Sequence, residues 1–223
     1  MPPTVTPHYT LPKFNIRVED LSHPGAVLFF DNVQPALALK DAVLASFTHL
    51  YTPKTVPTHV KLITLVLRSM DGVAYTFGSH TDKEIHFSLD YIKASEHRAR
   101  DEILGVLVHE VVHCFQYNGK DQCPGGLIEG IADFVRLHAG YAPPHWQAAG
   151  GDRWDAGYDR TAYFLDWIEK HNGEGTVQKI NQLMKDRKYT EYVFIEATGH
   201  GVDKLWKMYC ALLDKKSPKL TPN

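Results

Sequence analysis

The sequence predicts an α+β fold, and three observations carry that reading. Segments with strand patterning are gathered before about residue 90, segments with helical spacing dominate afterwards, and a His-Glu-x-x-His motif sits inside one of the helical segments. Strands first and helices later is the α+β order. A length of 223 residues suits one globular domain and is enough to bury a core without disulfide or metal staples. Hydrophobic residues at 43% and charged residues at 22% argue against a disordered or collagen-like chain.

The elements follow in order. Residues 1–13 hold Pro2, Pro3, Pro7 and Pro12 and read as an extended arm; the domain is expected over 14–214, with a loose tail at 215–223. Phe14–Glu19 alternates with period two and reads as a strand. Apolar residues from Val33 to Leu50 recur at helical spacing, with Asn32 as N-cap and Pro53 closing the segment. Lys61–Arg68 is an apolar strand expected near the centre of a small twisted mixed sheet. Asp71-Gly72 is a hairpin signal before the aromatic strand Val73–Phe77, and Glu84–Leu89 is a further short strand. A long helix is expected from Ser95, its N-cap, to Asn118, with Gly119 just past its end. Further helices are expected over 127–139, 158–171, 177–185 and 202–213.

Charge and composition narrow the partners. Twenty-four Lys+Arg against 26 Asp+Glu leave a formal charge of -2, which argues against a nucleic-acid or anionic-membrane partner. The longest apolar runs, Val27–Phe30 and Ile103–Val108, fall far short of the ~20 residues of a membrane helix. The N-terminus shows neither a basic nor an apolar region of a secretory signal, so a cytoplasmic location is expected of the sequence as it stands. Three cysteines, Cys114, Cys123 and Cys210, are too few for a disulfide framework, although a Cys114–Cys123 bridge stays open for an exported chain. A monomer is expected.

The motif Val108-His109-Glu110-Val111-Val112-His113 is the most informative stretch. Residues four apart share a helical face, so His109 and His113 can present two imidazoles to one metal ion. Glu110 can approach a metal-bound water without being a ligand. The surrounding helix is apolar, and burying two histidines and a carboxylate there is costly unless they have partners or work to do. A catalytic zinc needs a third protein ligand and an open position. Glu129 is the choice, with Asp133 one turn later orienting a ligand histidine. Asp133 could instead pair with a cation such as Arg136, with Glu129 favoured merely by the helix N-terminus. His138, His145 and Asp155 compete as third ligand.

Four stretches resemble the plant basic secretory protein family, zinc peptidases of plants with fungal and bacterial relatives. They are the run from His109 to Gly119, then Pro124–Leu137, then His138–Trp146, then Gly151–Asp166. The resemblance covers roughly residues 60–213 and implies a zincin fold and a place in the Glu-zincin group of peptidases. It also implies Zn2+ as cofactor and a peptide or protein as substrate. The helix pair is similar to the thermolysin-type arrangement, in which a Glu-x-x-x-Asp helix supplies the third ligand. The chain departs from the plant members in being slightly acidic and lacking a visible signal, whereas the resemblance implies secretion. Only 15 residues separate His113 from Glu129, a shorter spacing than in thermolysin-like enzymes.

On this reading a zinc-bound water attacks the peptide carbonyl, and Glu110 takes its proton and returns it to the leaving amine. Tyr158, opening a helix after the loop 152–155, is the candidate to stabilise the oxyanion, with Tyr141 and His145 as runners-up. Glu84–Leu89 is expected to be the edge strand that an extended peptide joins, bringing Ile85 and Phe87 to the substrate. His86 is expected on the surface, and Trp146 and Trp154 as packing residues. The alternative is an inactive zinc-binding protein that recognises peptides or glycans, which the intact Glu110 disfavours. A structural zinc site ranks last, because no cysteines stand in a C-x-x-C pair.

Overall fold

A computed structural model describes residues 9–216. The first eight residues of the predicted arm, and the tail from 217, lie outside the described residues. The chain divides into two compact units, the first ending at Phe115 and the second starting at Gln116. Secondary structure is mixed α and β, with a four-stranded sheet and nine α-helices among the described residues. No helix of the described residues is long and apolar enough to cross a membrane.

The sheet belongs to the first unit. Its strands are β1 (Lys13–Val18), β2 (Leu62–Arg68), β3 (Ala74–Gly78) and β4 (Asp82–Ser88), arranged β1-β2-β4-β3. β1 and β4 pair with β2 in parallel, while β3 runs antiparallel to β4, so the sheet is mixed and β2 is interior as the sequence indicated. Alternation in β2 and β4 buries Ile63, Leu65, Leu67, Ile85 and Phe87 completely.

Two expectations about this sheet need correction. Asp71-Gly72 does not close a hairpin, because β2 and β3 are not neighbours. The tight reversal joins β3 to β4 at Ser79–Thr81, where Ser79 Oγ accepts from the Thr81 and Asp82 amides at 3.2 and 3.0 Å. Nor is the 84–89 strand an edge. β4 lies between β2 and β3 with ladder partners on both sides, and Ile85 and Phe87 are core residues, so neither meets an incoming peptide. The outer strand on that side is β3. His86 is buried rather than exposed, its ring stacked on Tyr75 at 4.9 Å.

Four helices complete the first unit: α1 (Pro24–Asn32), α2 (Pro35–Leu50), α3 (Leu89–Ala94) and α4 (Ala99–Phe115). Asn32 ends α1 instead of capping α2, which opens at Pro35, a residue suited to a first helical turn where no amide is needed. The helix expected from Ser95 starts earlier and breaks. Ser88 Oγ caps α3 by accepting from the Tyr91 amide at 3.2 Å, Ser95 closes it, and a 3₁₀ turn at Glu96–Arg98 leads into α4. α4 stops at Phe115, ahead of the left-handed run Gly119, Lys120 and Asp121. α2 packs on α4, where Phe47 meets Phe115 edge-on at 4.9 Å and Tyr51 at 6.0 Å. Burying a Phe side chain completely, as here, stabilises by about 1.5–3 kcal/mol. α4 also lies against β3 and β4.

The second unit is helical: α5 (Gly125–His138), α6 (Tyr158–Asn172), α7 (Thr176–Leu183), α8 (Tyr192–Thr198) and α9 (Val202–Lys216). Only α8 has no counterpart in the sequence reading. α5 and α6 approach closely because position 130 is glycine; a Cβ there would come within 2.2 Å of Thr161 Cγ2. Trp154 is buried edge-on against Phe194 at 5.2 Å, the packing role expected of it.

Asp166 on α6 makes a pH prediction. Burial pushes its carboxyl up, but bonds from His138 (3.1 Å) and Lys170 (2.7 Å) outweigh that and hold it below the usual carboxylate range. A folded-state value below the unfolded one gives stability that is present above the unfolded pKa and lost as pH falls through the folded one. Asp166→Asn is therefore expected to cost about 1–2 kcal/mol at pH 7, after discounting the solvent-facing Lys170. Urea unfolding at pH 7 and again below pH ~4 should show the gap between the two chains closing in acid. A gap that stays constant would rule out this source of stability.

Candidate functional site

In the first unit, α4 carries Ile103, Val106, Leu107, Val111 and Val112 in the core. The same helix sets His109 and His113 one turn apart, with Nε2 atoms 3.0 Å from one another and ring planes at 83°. His109 is buried and His113 half-buried. Each offers one ring nitrogen as a possible metal ligand.

Glu110 is buried beside His109. Its Oε2 accepts from Thr76 Oγ1 at 2.7 Å, and the same hydroxyl lies 3.0 Å from the Glu110 carbonyl oxygen. Thr76 comes from the middle of β3. Alternation along that strand turns Tyr75 and Phe77 to the other face, where both are exposed. On that face the Glu84 carboxyl is held below its usual range, first by the bond to His86 Nε2 at 2.9 Å and also by Arg17. Thr76 did not figure among the sequence candidates. The one signal available was a hydroxyl residue in an aromatic strand, which says nothing of its partner.

In the second unit, Glu129 and Asp133 stand one turn apart on α5, Glu129 half-buried and Asp133 buried. Glu129 offers a carboxylate oxygen as a possible metal ligand. Two rivals for the third-ligand role are engaged elsewhere. Arg153 grips Asp155 through two parallel bonds, Nε to Oδ1 and Nη2 to Oδ2, both 3.0 Å. His138 Nε2 lies 3.1 Å from Asp166 Oδ1. His145 is exposed, and Tyr141 is half-buried.

Tyr158 opens α6 with its side chain 58% exposed and φ at +47°. A bulky residue in the left-handed region is strained, at a cost of order 1–3 kcal/mol, and such strain persists only where the surroundings fix it. Here Thr161 does the fixing, accepting from the Gly157 amide at 2.9 Å and donating to the Trp154 carbonyl at 2.8 Å.

The three cysteines are free thiols. Burial pushes the Cys114 thiol far up and that of Cys123 to about 12, so neither is a thiolate near neutral pH.

Two imidazole nitrogens and a neighbouring buried carboxylate thus share one apolar helix, and the imidazoles belong to a group of side chains that could hold a metal ion. No curated protein and no solved structure matches the chain. A family match covers residues 11–209, and it is the basic secretory protein family that the motifs resemble: the chain belongs to BSP, the peptidases of plants and bacteria.

Proposed function

We propose that the protein is a zinc-dependent peptidase of zincin type, with the metal held by His109, His113 and Glu129. The observation that carries the reading is the pair of Nε2 atoms 3.0 Å apart with Glu110 as the adjacent residue. Two imidazole nitrogens and a carboxylate oxygen are a donor set that catalytic zinc takes, with a position left open for water or substrate. Bound there, the ion would supply Lewis acidity, polarising the peptide carbonyl and acidifying a water.

The chain's own groups do the rest. Glu110 Oε1 takes the proton of the attacking water and later passes it to the leaving amine. The Tyr158 phenol donates to the oxyanion, its strained backbone being consistent with a side chain held for a task. Asp133 accepts from the second ring nitrogen of a ligand histidine, fixing its tautomer. An extended peptide adds to β3, the outer strand that carries Thr76, in place of the interior β4.

Metal analysis of the purified protein and a broad peptide-cleavage screen, with and without chelator, test the reading. About one zinc per chain and cleavage that disappears on chelation and returns with zinc are expected. Cleavage indifferent to the chelator would end the metallopeptidase reading. Zinc bound without cleavage of any peptide would favour a recognition protein.

A further inference from the structure

The tie between β3 and the motif helix has a consequence for catalysis, which rests on the peptidase reading above. We propose that Thr76 is a positioning residue for Glu110, fixing which carboxylate oxygen is free to take the water proton.

A glutamate side chain has three rotatable bonds and many staggered conformers, so a general base needs something to select one. Thr76 Oγ1 sits 2.7 Å from Oε2 and 3.0 Å from the carbonyl oxygen of the same residue. It holds one proton, and the charged carboxylate is the stronger acceptor. Glu110 is buried, so this bond also satisfies an oxygen that water does not freely reach. One lone pair of Oε2 is thereby engaged and the carboxylate's orientation fixed, which makes Oε1 the more basic and better placed oxygen to accept a proton. The anchor is itself stiff. Threonine is branched at Cβ, which restricts its χ1, and its backbone lies in the ladder opposite Ile85 of the interior strand β4. Thr76 stands on the strand proposed to receive the peptide, so substrate and base share one rigid reference.

Thr76→Val keeps the shape and removes the donor, whereas Thr76→Ser keeps the donor. The valine variant is expected to lose ~10–100-fold in kcat, as much as is lost with the partner that orients a metal-binding side chain, with KM within about twofold and zinc content unchanged. The serine variant should recover most of the loss. A purely structural role would instead lower thermal stability and move KM in both variants. Crystal structures of the metal-free wild type and of each variant give a second readout, expected to show the Glu110 carboxylate displaced in Thr76→Val and in place in Thr76→Ser. Wild-type kcat in Thr76→Val, or a serine variant no better than the valine one, would overturn the proposal. So would an undisplaced Glu110 in the Thr76→Val crystal. If Thr76→Val does not fold, Thr76→Ala and Thr76→Ser carry the same comparison. A wild type without chelator-sensitive cleavage would defeat the peptidase reading alone, since the crystal comparison still decides whether Thr76 sets the Glu110 conformer.

Discussion

Glu110→Gln is expected to bind zinc as the wild type does and to lose most of its turnover. The substitution changes one atom. A glutamine carbonyl oxygen can still accept from Thr76 Oγ1, as Glu110 Oε2 does at 2.7 Å, so the side chain keeps its anchor. Its other end becomes an amide that donates and cannot accept the water proton. Removing a general base costs ~10²–10⁴ in rate. Metal content should not follow, because the nitrogens proposed as ligands belong to His109 and His113. Steady-state cleavage and metal analysis on the same preparation separate the two effects. Cleavage at the wild-type rate would sink the mechanism; loss of zinc together with activity would make Glu110 a ligand.

Most of the elements around this residue could be read from the chain because their patterns are local. The four strands lie within about two residues of where alternation and composition put them, and α5, α6, α7 and α9 follow their apolar spacing. The order of strands in the sheet was not legible. Asp71-Gly72 is chemically a turn, and Gly72 does take a positive φ of 82°, but a turn does not say whether the next strand pairs with the previous one. β4 inserts between them, and that one exchange moves Ile85 and Phe87 from a supposed peptide-binding edge into the core. α1 escaped notice because it has no polar side chain before Asp31, so its nine residues show no apolar-polar periodicity, and α8 is only seven residues long. The i, i+4 spacing alone put His109 and His113 on one helical face. Thr76 was hidden for the opposite reason: it lies 34 residues from Glu110, and only the fold joins them.

Glu129→Ala is the test of the third ligand, and it should act on the metal before it acts on rate. Deleting the carboxylate leaves two imidazoles, too few for a zinc site of the three-ligand kind, and it also removes the one charged member of the proposed ligand set. Zinc affinity is expected to fall further than the ~10–100-fold typical of an outer partner, with activity lost at ordinary zinc levels. Asp133→Ala, which removes only the proposed acceptor for a ligand histidine, should fall inside that ~10–100-fold range. The expected order of zinc retention is therefore Glu110→Gln, then Asp133→Ala, then Glu129→Ala, measured by competition with a chelating dye. Asp155→Ala and His145→Ala are the controls. Asp155 has both carboxylate oxygens committed to Arg153, so its loss should free an arginine and leave zinc affinity near that of the wild type. If Glu129→Ala keeps its zinc while one of these two loses it, the third ligand lies downstream of α5. The peptidase reading, which rests on His109, Glu110 and His113, would stand with that ligand reassigned.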